Sequence, residues 1–178
     1  MKSALKKLLH TLYVFSIPVL SILFLELIFY LPRHSSFYNF LRFAPFYTGL
    51  YFWLSMRHDV FNIFSVFILG IFADVIGAST LGINLLTFLF FYIISLKFFS
   101  IFNIRNFLYS WLLFSFGFLL TLLFKLISIS LMHQTLVPLN FVFFEYVLTI
   151  GLYPIIARFY LFIEHKFIHL EERYENQQ

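Results

Sequence analysis

Cysteine is absent from the 178 residues of the chain, which excludes disulfides and cysteine-ligated metals and leaves the redox compartment open. Charge is scarce: 11% of the residues are Asp, Glu, Lys or Arg, against about a quarter in a soluble domain. A water-exposed surface cannot be assembled from so few. Reaction motifs are missing as well, for there is no H-E-x-x-H, no G-x-S-x-G and no G-x-x-x-x-G-K-[ST]. No catalytic residue, metal site or cofactor is therefore expected, and the chain reads as a non-enzyme. His165, His169 and Glu172 share a helical face but fall in a polar terminal stretch, where a surface role outweighs a metal site that would need further ligands. Glu171-Glu172 lies beyond the last apolar run and carries no protease reading. No internal repeat, low-complexity run or linker marks a second domain.

What the chain does contain is apolar. Hydrophobic residues make up 62% and aromatic residues 24%, with 29 Phe, which leaves lipid as the solvent. A bilayer core about 30 Å thick takes roughly 20 apolar helical residues. On that ruler the chain is an all-α integral membrane protein, a bundle of about six transmembrane helices in a single domain. The helices are expected at about 11–31, 44–56, 60–78, 83–102, 107–132 and 139–163, followed by a polar tail over 164–178. Lys2, Lys6 and Lys7 precede the first run without a small-x-small cleavage site after it, so that run is read as a retained helix and not a signal peptide. Residues 34–42 alternate aromatic and polar groups, as either a headgroup-level segment or a loop does.

Basic residues exceed acidic ones by a formal charge of +4, but they cluster at the ends of apolar runs and read as topology signals, not as a nucleic-acid surface. With the N-terminus inside, Lys2, Lys6, Lys7, Arg57, Lys97, Arg105, Arg158, Lys166 and Arg173 fall on the cytoplasmic side, and Arg33 and Arg42 on the outer side. Both termini are then cytoplasmic. The same topology puts an intramembrane polar cluster of Glu26, Asp74, Lys125 and Glu145 in the outer half of the bilayer, and an ionisable residue inside a span is a site hypothesis by default. Asp74 shares a helix face with Gly70, Ala73 and Gly77, a partner-docking or helix-packing face of small residues. Lys125 lies on one face with Gly117, Thr121 and Ser128 and is expected to pair with Asp74 or Glu145. Lys125 and Glu26 are also close enough to the outer boundary to snorkel, and Pro18 and Pro154 fall inside helices, where they can kink or be tolerated.

Residues 45–97 carry a more specific signal. The aromatic run Tyr51-Phe52-Trp53 is followed by Gly70, Asp74, Gly77, Leu81 and Gly82 within the stretch from Phe67 to Asn84. This stretch resembles the bacterial rod shape-determining protein MreD family, in its aromatic-rich second helix and in the Gly- and Asp-containing pattern that follows. Tyr153-Pro154 in the last run is similar to an aromatic-Pro pair of that family. Arg57-His58 stands where the family usually carries a proline. The resemblance implies a non-enzymatic, multi-pass component of the bacterial inner membrane in the machinery that elongates the peptidoglycan wall. Its implied partners are the scaffold MreC, with MreB and a RodA-type glycosyltransferase in the wider complex, and its implied docking face is Gly70, Ala73, Asp74 and Gly77. Two other readings remain open at this level. One is a vitamin-like uptake subunit whose ligand sits among Glu26, Asp74, Lys125 and Glu145; the other is a lipid-handling enzyme using the same acids as proton carriers.

Overall fold

The computed structural model describes residues 16–28, 44–56, 62–76, 82–102, 106–133 and 138–175, with the backbone alone for 133 and 167–175. Within them every regular element is an α-helix: α1 Ser16–Ile28, then α2 Pro45–Met56, α3 Ile63–Ile76, α4 Ile83–Ile101, α5 Phe107–His133 and α6 Leu139–Glu175. Residues 34–42, Arg57-His58 and Gly77 lie outside the described residues. The segment expected as a polar tail from 164 continues α6 to Glu175. Its run of Glu, Lys, His, Leu and Arg contains no Gly or Pro, so a helix already formed upstream meets nothing that would stop it.

Helix starts follow from local chemistry. Pro45 opens α2 at the first helical position, where its missing N–H costs nothing. Asn62 caps α3, its side-chain oxygen accepting from the amides of Phe64 and Ser65 at 3.1 and 3.3 Å.

Neighbouring helices alternate in direction. Phe90 stacks on Phe124 and Phe98 lies against Phe116, which runs α4 antiparallel to α5. Phe114 on Tyr153 and Phe118 on Tyr146 do the same for α5 and α6. By contrast α2 lies parallel to α6, with the Ala44 amide donating to Thr149 Oγ1 at 3.2 Å and Phe52 stacked on Tyr160.

The centre of the bundle is α2. All residues from Pro45 to Leu54 are buried, although the helix is only about 18 Å long at 1.5 Å per residue. Its side-chain polar groups reach three other helices, and a fourth receives the amide just before it. Tyr47 Oη donates to Thr87 Oγ1 on α4 at 3.0 Å and Tyr51 Oη to the Ser110 carbonyl on α5 at 3.0 Å. Trp53 Nε1 donates to Ser21 Oγ on α1 at 3.0 Å, and Thr149 on α6 receives the Ala44 amide. Ring edges complete the packing, with Tyr47 meeting Phe88 at 4.7 Å and Phe91 at 5.4 Å between centroids.

The outside is apolar. Phe64, Val75, Ile101, Leu131 and Leu139 are each at least two-thirds exposed, while Asp74, Thr87, Thr121 and Thr149 are buried. Water would make such a surface untenable. Three helices, Ile83–Ile101, Phe107–Met132 and Leu139–Lys166, are each long and apolar enough to cross a membrane. The chain is accordingly an all-helical membrane protein.

Candidate functional site

The face of α3 that carries Gly70, Ala73 and Asp74 is covered by α4 of the same chain. A Cβ at Gly70 would come within 2.8 Å of the Leu85 Cα and 2.6 Å of its Cδ1, so only a glycine allows the two backbones this approach. One turn on, Asp74 is buried and accepts two backbone N–H groups, Gly82 at 2.8 Å to Oδ2 and Asn84 at 3.0 Å to Oδ1. Both amides belong to the opening of α4, whose first N–H groups have no partner inside the helix. Gly82 itself sits at φ 100° and offers no side chain to cap them; that left-handed conformation is one a glycine adopts freely. A carboxylate from the preceding helix therefore supplies the cap, and its negative charge lies at the positive end of the α4 dipole. Asn84 Nδ2 returns a bond to the Ala73 carbonyl at 3.4 Å. The result is a hairpin of α3 and α4 locked by a buried acid.

The four ionisable residues grouped from the sequence lie on α1, α3, α5 and α6. Lys125 Nζ lies 3.5 Å from Glu145 Oε1, joining α5 to α6, with the two side chains 25% and 11% exposed. Of the two acids expected as partners for Lys125, Glu145 lies beside it, and Asp74 accepts the amides at the α4 N-terminus. Glu26 is buried on α1. Thr121 and Ser128, expected on the Lys125 face, donate to the carbonyls of Gly117 and Phe124 in their own helix. Their hydroxyls thus fill local acceptors. Beside the ion pair lies a cavity of about 30 Å³ bordered by Leu122, Leu126, Ile129 and Phe141, room for a water or two and far below the roughly 300–1,000 Å³ of a small-molecule site.

Two further contacts escape sequence reasoning. Pro154 lies inside α6 and cannot donate to the carbonyl four residues before it, that of Ile150. The indole Nε1 of Trp111 on α5 donates to that carbonyl at 3.1 Å. Pro154 is visible in the sequence as a helix interruption, but nothing near it indicates which side chain replaces the lost N–H. The second contact is at Gly49, where a Cβ would meet Tyr160 Oη at 2.5 Å and Ile22 Cγ1 at 2.7 Å. There α1, α2 and α6 converge. Tyr160 Oη is buried and, among the described residues, has no hydrogen-bond partner.

The described residues hold no group of three or more His, Cys, Asp or Glu placed to bind a metal. Comparison with protein-family models, with curated proteins and with solved structures returns no match.

Proposed function

We propose that this chain is a six-span, multi-pass protein of the bacterial inner membrane, with both termini cytoplasmic, that acts as a non-enzymatic scaffold of MreD type in the complex elongating the peptidoglycan wall. The observation that carries this reading is the use made of the residues behind the resemblance. Gly70 and Asp74 lock α3 onto α4 through Leu85, Gly82 and Asn84, and Tyr51, Phe52 and Trp53 form the buried centre of the bundle. Each has a packing role, and such a role suits a part whose work is to hold other membrane helices in place.

MreC is the proposed direct partner, with MreB and RodA-type machinery in the wider assembly. The α3–α4 hairpin is the proposed support for that contact, since its inner face is already filled by its own helices. The test is affinity purification of a tagged chain from native membranes in mild detergent. The MreC-type scaffold should be retained, and Gly70→Leu, which forces the hairpin apart, should lower its recovery. Undiminished recovery with a Gly70→Leu protein that elutes as a single folded species would overturn the docking part of the proposal.

A further inference from the structure

Helices α3, α4 and α5 are level at one end of the bundle and uneven at the other. At the level end, Asp74 near the close of α3 meets Gly82 and Asn84 at the opening of α4. Phe90 of α4 stacks on Phe124 of α5. Eight residues on from each, about 12 Å at 1.5 Å per residue, come Gly82 and Met132, and Met132 is next to the last residue of α5, His133. The three helices therefore stop together there.

At the other end they part. Gly70 packs on Leu85, and counting eight residues in opposite directions from that contact sets Asn62, the cap of α3, level with Ile93. From Ile93, α4 runs on to Ile101, about 12 Å further. The reach of α5 is longer still. Phe116 lies against Phe98, and the helix extends about 14 Å past that contact, to Phe107. On α4 the stripe turned toward α3 registers where its cover ends. Leu85, Leu89 and Tyr92 are partly buried, and the next residues of that stripe, Leu96 and Ser100, are exposed.

The chemistry of the two sides differs in the same sense. The extension of α5 exposes Phe107, Leu108 and Leu112, a surface suited to acyl chains. Ile101, also exposed, lies eleven residues from Phe90 and so on the α5 side of α4. On the α3 side the exposed groups include Asn62, Lys97 and Ser100, and Arg57, His58 and Asp59 stand just before Asn62 in the sequence. Exposed polar groups are costly in hydrocarbon. A tilt of the whole bundle would offset both ends, yet one of them is level.

We propose that the bilayer is thinned locally on the α3 side of the bundle. In the leaflet that holds the C-terminal end of α4, phospholipid headgroups and water come inward to the level of Asn62, while alongside α5 the same leaflet keeps its full depth. Helix α3 has 14 residues and is about 21 Å long, against about 30 Å for an ordinary bilayer core. Thinning is one way a bilayer accommodates a short span. Lipid is the partner this face takes, because its polar groups sit at the rim of an apolar surface, where headgroups can reach them. The inference is independent of the role in wall elongation and of which leaflet is cytoplasmic.

The chain has no cysteine, so a single nitroxide can be placed by Ile63→Cys, Leu96→Cys or Phe116→Cys, each at an exposed position. The full chain is reconstituted in phosphatidylcholine vesicles, and collision of the label with oxygen, which favours hydrocarbon, is compared with collision with a water-soluble nickel chelate. The nickel-to-oxygen ratio should be severalfold higher at Ile63 and Leu96 than at Phe116. A flat bilayer predicts similar ratios at Leu96 and Phe116, which stand at nearly the same height on adjoining helices. Should Leu96→Cys lose its fold, Ile93→Cys reports the level of Asn62 in its place. Similar ratios on the two sides, or a higher ratio at Phe116, would overturn the proposal. So would shielding of Ile63 and Leu96 from both relaxants, the mark of a face covered by a second copy of the chain and not by lipid.

Discussion

Asp74 is the residue whose removal should be felt most sharply in the α3–α4 hairpin. In Asp74→Ala the amides of Gly82 and Asn84 lose their acceptor within the bundle, at a cost of about 1–3 kcal/mol. Asp74→Asn keeps one acceptor oxygen and should fall between the two. Thermal unfolding in detergent checks the order, with Tm decreasing from wild type to Asn to Ala. At Gly49, alanine would collide with the Tyr160 hydroxyl and Ile22, and overpacking of this kind costs about 1–3 kcal/mol. Tyr160→Phe removes a buried hydroxyl that has no hydrogen-bond partner among the described residues, so it should leave Tm unchanged or raise it, and it should soften Gly49→Ala in the double variant. The sequence shows Asp74 as an acid on a small-residue face inside an apolar run. It does not show the two amides that Asp74 holds, because one is the backbone of Gly82, a residue with no side chain to signal a cap. The Gly49–Tyr160 contact joins residues far apart in the chain and leaves no local pattern.

At the scale of the helices, two interhelical links can be tested by cycles. Trp111→Phe should cost about 1 kcal/mol by leaving the Ile150 carbonyl without its donor. In a Pro154→Ala background the alanine supplies the missing N–H, so the same tryptophan change should cost less. An unchanged cost would show that the indole and the proline are not coupled. For the pair joining α5 to α6, Lys125→Met or Glu145→Leu alone should destabilise by about 1–3 kcal/mol, reduced from the value of a fully buried pair by their partial exposure. The combined variant should recover part of that loss, as judged by the same melting experiment. Helix positions were legible because long apolar runs have few other fates; the expected 83–102 and 107–132 lie within a residue of α4 and α5. The central place of α2 was not legible. Its short length argues against a full span, and only the packing of Tyr47, Tyr51 and Trp53 on four neighbours explains why so short a helix lies at the core. The continuation of α6 past 163 was hidden because polarity marks the end of the apolar run but not the end of the helix.

For the molecule as a whole, solvent and fold follow from one inversion. Phe64, Val75, Leu131 and Leu139 face outward, while Asp74, Thr87, Thr121 and Thr149 lie within beside buried Phe and Leu, and lipid accepts that arrangement. Association of the helices then relies on close packing and internal hydrogen bonds, not on removal of apolar surface from water. That is why Gly70, the Tyr hydroxyls and the Asp74 cap carry so much of the architecture. The polar groups of the motif are satisfied by the chain's own backbone, and the cavity beside the ion pair holds a water or two. The most direct measurement is depletion of the protein in its native host, with microscopy of cell shape and labelling of new wall. Loss of rod form, with wide or round cells and dispersed wall synthesis, is the predicted result; rods of normal width with normal labelling would contradict a role in wall elongation.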